Sequence, residues 1–188
     1  MKNLKSIALA LVVVLSTLSV TAQTKKVDVS KSTVNWTGKK VTGQHSGTIN
    51  LKDGALVFKG KKLVGGTFTI DMASITCTDL TGEYKGKLEG HLKSEDFFGA
   101  EKFPTATLVF KKVVVKAKNV YTVTGDLKIK GKTNPITFDL VATKNAAATS
   151  FKIDRTKYDI KYGSGSFFEN LGDKAISDDF ELAVALKF

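Results

Sequence analysis

The chain has 188 residues, of which 42% are hydrophobic and 25% are charged, and its formal net charge is +11. This hydrophobic content excludes a disordered chain, and the length fits one domain with a sizeable core. The single cysteine, Cys77, excludes an intrachain disulfide, a cysteine-based zinc site and a cysteine-ligated iron–sulfur cluster.

The first segment of the chain has the pattern of a secretory signal peptide. Lys2 and Lys5 precede an apolar run, and Val20-Thr21-Ala22 resembles a cleavage site of small residues. We therefore predict a signal peptide over residues 1–22 and one domain over residues 23–188, soluble in the periplasm or secreted after cleavage. A membrane anchor is the weaker alternative, because the run is shorter than the roughly 20 residues of a spanning helix.

The next stretches alternate apolar and polar residues, which predicts strands with one buried face. The closing strand has the clearest alternation, with Phe180, Leu182, Val184, Leu186 and Phe188 on one face. In chain order, the predicted strands are Thr33–Lys39, Gly47–Leu51, Ala55–Phe58, Thr67–Met72, Thr105–Lys116, Val120–Lys130, Ile136–Leu140, Ser150–Asp154 and Phe180–Phe188. Turn signals separate them at Asp53-Gly54, Gly65-Gly66, Lys118-Asn119 and Lys130-Gly131. The pattern predicts eight or nine antiparallel strands.

One stretch, Glu83–Ser94, has helical spacing instead. Its periodic positions are Tyr84, Leu88, His91 and Leu92, and Thr81 is in position to cap the first turn. We predict a single helix here, inserted between strands and ending before Phe97-Phe98.

Short antiparallel strands with one apolar face form either a sandwich or a closed barrel. An eight-stranded barrel has an interior that side chains fill or that holds one ligand. The apolar face is rich in Phe, Leu, Ile and Val and nearly free of charge, which favours a long apolar ligand. Alternation does not reveal whether this face points into the barrel or outward to lipid, as in an outer-membrane barrel. One Trp and four Tyr are few for aromatic girdles, so we favour the inward orientation.

The positive charge is carried almost entirely by lysine, since Arg155 is the only arginine. The lysines form pairs at turns or alternate with apolar residues along strands, which is typical of a solvated outer sheet face. We therefore expect no nucleic-acid partner.

The sequence offers little for catalysis or metal binding. It contains neither a Gly-x-Ser-x-Gly elbow nor a phosphate-binding loop, and Asp178 and Asp179 are neighbours on one strand that point to opposite faces. His45 and His91 have no obvious carboxylate or cysteine partner at ligand spacing. We predict no enzyme, no catalytic residue, no cofactor and no metal site.

Three further residues have structural interpretations. We expect His91 to be partly buried and hydrogen-bonded to backbone at the helix end, with contact to a ligand headgroup or a metal shared with His45 as the weaker alternatives. We expect Cys77 to be a small core residue or an inert thiol. Trp36 is most simply core, and contact with the lumen is its alternative role.

Arg155 continues the alternation of Phe151 and Ile153, whose side chains are on the apolar face of their strand. A cation is therefore expected to point toward the interior near the end of this strand. It is either an anchor for a ligand headgroup or the partner of a nearby carboxylate in Asp154, Asp178 or Asp179. Because buried charges are usually paired, we favour the second interpretation.

Three ordered motifs carry a family resemblance. They are His91–Phe98 with Phe103-Pro104-Thr105-Ala106, then Gly125–Thr133 with Ile136-Thr137-Phe138, and finally Ile153-Asp154-Arg155 with Tyr158 and Ile176–Phe180. Together, over Val27 to Phe188, the chain resembles the YceI-like family of periplasmic polyisoprenoid-binding proteins. The resemblance implies an all-β fold, an extended lipocalin-like antiparallel β-barrel of about eight strands with one inserted helix. The segment Tyr162–Asp173, rich in Gly and Phe, matches no family motif.

The resemblance and the strand parity together predict a lipid site in the lumen. Its predicted residues are Trp36, Phe68, Ile70, Met72, Leu88, His91, Leu92, Phe97, Phe98, Leu108, Phe110, Leu127, Ile129, Phe138, Leu140, Phe151 and Arg155. The implied function is an exported binding protein that sequesters or transports a polyisoprenoid or similar long amphiphilic lipid. A ligand-free structural or stress protein and a lipid-modifying enzyme are the alternatives. Transient contact with a membrane surface and homodimer formation stay open.

Overall fold

The computed structural model describes residues 21–188. In chain order its main elements are β1 (Ala22–Lys26), β2 (Thr33–Lys40), β3 (Gly43–Lys59), β4 (Lys62–Cys77), α1 (Gly82–Lys93), β5 (Thr105–Ala117), β6 (Val120–Ile129), β7 (Lys132–Ala142), β8 (Ala146–Asp154) and β9 (Ile176–Lys187). Short 3₁₀ turns cover Val29–Lys31, Arg155–Tyr158 and Gly172–Lys174. The predicted antiparallel strands and the single inserted helix are confirmed for this part of the chain.

The sheet closes into a barrel of eight strands. From β2 to β9 each strand pairs antiparallel with the next, and β9 returns to pair with β2. β1 and β2 pair with the same edge of β3. β2 pairs with the first part of β3, up to Asn35 opposite Thr48, and β1 pairs with its last part, from Lys26 opposite Ala55 onward. β1 and β2 therefore form one strand position, interrupted by the turn Val29–Lys31.

The turns predicted at Asp53-Gly54 and Gly65-Gly66 are wrong, because both pairs lie inside long strands. β3 continues through Asp53 with register shifts that mark β-bulges, so the two strands predicted there are one. A Cβ on Gly66 would lie 2.9 Å from ring carbons of Phe110. These glycines serve close packing and bulges rather than chain reversal. The pairs Lys118-Asn119 and Lys130-Gly131 are hairpin turns, as predicted.

The barrel has two distinct ends. The helix end carries α1, the β2–β3 turn, the turn at Lys130-Gly131 and the segment 155–175 that joins β8 to β9. The hairpin end carries the β3–β4, β5–β6 and β7–β8 turns.

The interior is filled mainly by apolar side chains. A cluster around Trp36, Met72 and Phe97 fills the helix end, and a second cluster around Leu56 and Val123 fills the hairpin end. Half-buried side chains such as those of Ile70, Leu108 and Phe151 touch both clusters. The apolar parity of the strands therefore faces the lumen. The outer face carries ion pairs such as Lys111–Asp126 and Lys152–Glu181.

The barrel wall has one seam that depends on side chains. β7 and β8 are paired only at Val141–Ala148 and Ala142–Ala147, next to their hairpin. Farther along, the ring of Phe138 stacks on that of Phe151, with centroids 4.5 Å apart and planes 17° apart. Thr149 Oγ1 also donates a hydrogen bond of 2.6 Å to the backbone oxygen of Asp139. Aromatic packing thus replaces backbone bonds in closing this seam.

Candidate functional site

An apolar cavity of about 230 Å³ lies inside the barrel. Its wall includes side chains from β2 through β9 and from α1. Apart from Thr149, the polar residues on the wall, among them Lys39, Lys40 and Asp179, belong to the helix end of their strands or of α1. The mouth of the cavity is therefore at the helix end, and the hairpin end is its apolar base.

All seventeen predicted site residues line this cavity. Whether they bind a ligand stays a prediction. The predicted set omitted the inward residues of β9, which also line the cavity: Phe180, Leu182, Val184 and Leu186. The alternation of this closing strand was the signal that identified them as one face, so parity alone could have placed them in the site.

His91 lies on the cavity wall at the mouth, on the last turn of α1. Its ring packs edge-on against Phe97 and Tyr162, with centroids 5.2 and 4.5 Å away. Its Nε2 is buried and has no hydrogen-bond partner among the described residues. The expected hydrogen bond to backbone is thus not made by this nitrogen. A buried polar atom beside the cavity is therefore left without a hydrogen bond among the described residues.

Arg155 is 2% exposed, and its guanidinium is held almost entirely by the protein itself. Nε donates to the backbone oxygen of Ser177 at 2.9 Å, Nη1 to that of Ile160 at 2.8 Å, and Nη2 to that of Ile176 at 3.0 Å. Nη2 also lies 3.6 Å from Asp178 Oδ1. The favoured carboxylate partner is therefore present. Three backbone carbonyls that the sequence did not indicate complete the site.

The environment of Arg155 is that of a structural cation. Burial lowers the pKa of the guanidinium, while Asp178 and Asp154 act in the opposite direction. The guanidinium carbon also lies 5.6 Å from the ring centroid of Phe97, a cation–π contact. These contacts fix the segment 155–175 against the start of β9. They leave few of the guanidinium N–H groups of Arg155 to bind a ligand headgroup.

Glu89 fixes α1 to the end of β4. Its Oε1 accepts hydrogen bonds from Thr76 Oγ1 at 2.5 Å and from the Cys77 backbone nitrogen at 2.8 Å. These two bonds lower the pKa of the Glu89 carboxyl, and Lys85 and Lys93 contribute to the same effect. The anchored helix places Leu88, His91 and Leu92 on the cavity wall.

A second polar cluster lies beside this anchor. Asp79 accepts a hydrogen bond from the Ser46 backbone nitrogen at 2.9 Å, and His45 Nδ1 lies 2.9 Å from its other carboxylate oxygen. This carboxylate partner of His45 was not recognised from the sequence. Cys77 is fully buried, its thiol donates to Asp79, and burial raises its pKa. Within residues 21–188 no group of three or more potential ligands is arranged to hold a metal ion.

None of the described helices combines the length and apolar character needed to cross a bilayer.

The family model described as the YceI-like domain matches residues 26–188. A UPF0312 protein of Shewanella denitrificans is 31% identical over 91 residues, which are 48% of this chain and 46% of that protein. A UPF0312 protein of Staphylococcus aureus strain USA300 is 48% identical over 52 residues, which are 28% of each chain. The matched regions thus span less than half of these relatives.

Solved structures share the fold at low sequence identity. BcnA of Burkholderia cenocepacia superposes with a TM-score of 0.70 at 24% identity, covering 85% of this chain and 98% of that one. A polyisoprenoid binding domain from Saccharophagus degradans has a TM-score of 0.59 at 13% identity and covers 86% and 95%. The YceI protein of Campylobacter jejuni has a TM-score of 0.57 at 21% identity and covers 74% and 82%.

Proposed function

The chain belongs to the YceI-like family, and on this basis we propose that it is an exported protein that holds a polyisoprenoid or similar long amphiphilic lipid in its lumen. The observation that carries the proposal is the apolar cavity, which runs from a mouth at the helix end to a base at the hairpin end. The polyisoprenoid binding domain of Saccharophagus degradans has the same fold, which supports this ligand class.

The lumen supplies affinity through burial of apolar surface. Each methylene group removed from water contributes about 0.8 kcal/mol, so a short run of isoprene units can bind without a strong polar contact. About 150 Å³ is enough for one benzene ring, so the 230 Å³ of this cavity accommodates roughly two isoprene units. A longer tail requires side chains on the wall, such as the half-buried Phe68 and Phe110, to change rotamer.

The headgroup in this proposal lies at the mouth beside His91. The buried Nε2 of His91 has no partner among the described residues. Depending on the tautomer, it can donate a hydrogen bond to a carbonyl or hydroxyl oxygen or accept one from a hydroxyl group. Arg155 is bonded to three backbone carbonyls and Asp178, so it fixes the rim instead of gripping a phosphate. We therefore favour a lipid with an uncharged polar head.

Titration with lipids of increasing tail length tests the proposal. Leu140→Trp narrows the base of the lumen, and Val141→Trp places the same ring on the outer face of the same strand. We expect Leu140→Trp to lose at least tenfold affinity for long tails while keeping short ones, and Val141→Trp to bind like the wild type. Melting curves identify any variant that fails to fold. Equal affinity of all three proteins for every tail would refute the lumen as the binding site.

The small volume of the cavity favours one other function, a ligand-free structural protein in which the lumen is simply core. The same titration separates the two functions, because a ligand-free protein binds no lipid at any tail length.

Export also belongs to this proposal. Residues 1–20 lie outside the described part of the chain, and cleavage before Gln23 would keep the pairing of Gln23–Lys26 with Ala55–Phe58. Amino-terminal sequencing of the protein from the cell exterior or periplasm should therefore begin at Gln23. A product that keeps residues 1–22 would contradict the assignment.

A further inference from the structure

Four apolar side chains are exposed around the mouth of the barrel. Val41, in the β2–β3 turn, is 67% exposed, and Tyr162, Phe167 and Phe168, in the segment 155–175, are 48, 50 and 50% exposed. We call these four residues the mouth patch. Exposed aromatic side chains in a group are uncommon on a protein surface that contacts only water, and they mark sites of interaction.

Backbone hydrogen bonds hold the two loops of the patch together. The Val41 nitrogen donates to the Ala175 oxygen at 3.2 Å, and the Ile176 nitrogen donates to the Gly163 oxygen at 2.7 Å. The turn of β2–β3 and the loop after Tyr162 are thus both attached to the start of β9. The four residues of the mouth patch therefore lie on the same rim of the barrel.

The loop that carries the phenylalanines is itself well fixed. Ser164 is fully buried, and its backbone oxygen accepts hydrogen bonds from the nitrogens of Phe167 and Phe168 at 3.1 and 3.0 Å. Ser166 Oγ donates to Asp178 Oδ2 at 2.5 Å. The hydrogen bonds thus hold the loop in place while both rings stay half-exposed to water. Transfer of the rings from water to an apolar environment would be favourable.

The charges around the mouth patch suit the interface of a bilayer. Lys161 Nζ lies 5.0 Å above the ring of Phe167 and pairs with Asp159 at 2.9 Å. Together with Lys40 at the β2–β3 turn, the segment 155–175 has five basic and three acidic residues: Lys40, Arg155, Lys157, Lys161 and Lys174 against Asp159, Glu169 and Asp173. This excess of positive charge suits an anionic bilayer surface. Aromatic rings beside charged groups are the composition found at the headgroup level of membranes.

We propose that the mouth patch docks onto the surface of a lipid bilayer, with the mouth of the lumen facing the membrane. Tyr162 packs on His91, which lines the cavity, so the patch is continuous with the lumen. The three half-exposed aromatic rings and the valine of the mouth patch together expose roughly 400 Å² of apolar surface. That area is about half of the 800 Å² per partner that a specific protein interface needs, whereas insertion into a bilayer has no such minimum. This docking goes beyond the lipid carriage proposed above and does not depend on it.

Cosedimentation of the mature protein with vesicles of phosphatidylethanolamine and phosphatidylglycerol, free of isoprenoid lipid, tests the proposal. We expect the wild type to bind and the double variant Phe167→Ser, Phe168→Ser to bind at least tenfold more weakly. The matched control is Val64→Ser, Val115→Ser, because these valines are also about half exposed but lie toward the hairpin end. We expect the control to bind like the wild type. Equal binding by all three proteins would overturn the proposal.

Two further measurements distinguish docking from lumen binding and from self-association. Leu140→Trp should dock like the wild type, so loss of lumen binding and loss of docking are distinguishable. Sedimentation velocity without vesicles should give a monomer for the wild type. A wild-type dimer that the Phe167, Phe168 double variant abolishes would assign the patch to a second copy of the chain and overturn docking.

Discussion

Removal of Arg155 should destabilise the whole barrel. Arg155→Ala deletes three charge-assisted hydrogen bonds to the backbone oxygens of Ile160, Ile176 and Ser177, and it leaves Asp178 without its buried cation. Breaking a buried pair of this kind by removing one partner costs about 3–5 kcal/mol. A domain of this size is stable by about 5–15 kcal/mol, so we expect a large decrease in the urea midpoint.

Urea unfolding monitored by fluorescence measures this effect, because Trp36 is the only tryptophan and is buried. Arg155→Lys keeps a positive charge near Asp178, but one ammonium group cannot reach three carbonyl oxygens. The loss of stability of this variant should therefore be smaller than that of Arg155→Ala. The matched control is Lys152→Ala on β8, whose exposed pair with Glu181 contributes at most about 1 kcal/mol. The structural role would be refuted if Arg155→Ala unfolded at the same urea concentration as this control while losing lipid affinity.

The remaining predictions use the same unfolding assay. Phe138→Ala should cost on the order of 3–5 kcal/mol, because the ring is buried and closes the β7–β8 seam, and an unchanged midpoint would contradict its inward orientation. Glu89→Gln should cost about 1–2 kcal/mol at pH 7. Because the folded pKa of Glu89 is lowered, this difference should shrink as the pH falls below the ordinary value of 4.5, and a constant difference down to pH 3 would be evidence against the anchor. Gly47→Ala should cost about 2 kcal/mol or more, since a Cβ there overlaps the Thr76 backbone oxygen, whereas Gly38→Ala meets no atom within 4 Å and should be tolerated. Equal midpoints for the two alanine variants would disprove the close approach.

Local periodicity was sufficient to predict most of the fold. The period of two identified the strands, and the spacing of Tyr84, Leu88 and Leu92 identified α1. The strand signal arises from burial of one face, which is written directly in the order of residues. The helical signal was weaker, because only Leu92 of α1 is buried and Tyr84 is 74% exposed. The bulged middle of β3 was mistaken for a turn because Asp-Gly favours a turn locally, whereas the pairing of β3 with β4 continues past it.

The candidate site was predictable to the extent that it depends on parity. Parity identified side chains such as Phe138 and Leu140 that line the lumen. The partners of Arg155 could not be found this way, because three of them are backbone carbonyls that have no sequence signature. The pairing of His45 with Asp79 was also hidden, since these residues are 34 positions apart and meet only through the register of β3 and β4.

Native mass spectrometry of the mature protein, purified without detergent and followed by organic extraction, tests the central claim most directly. We predict one long-tailed lipid with an uncharged head per chain, released on unfolding and retained by the control variant Val141→Trp. A spectrum of the bare chain alone, with no lipid in the extract, would contradict the account and identify the lumen as core.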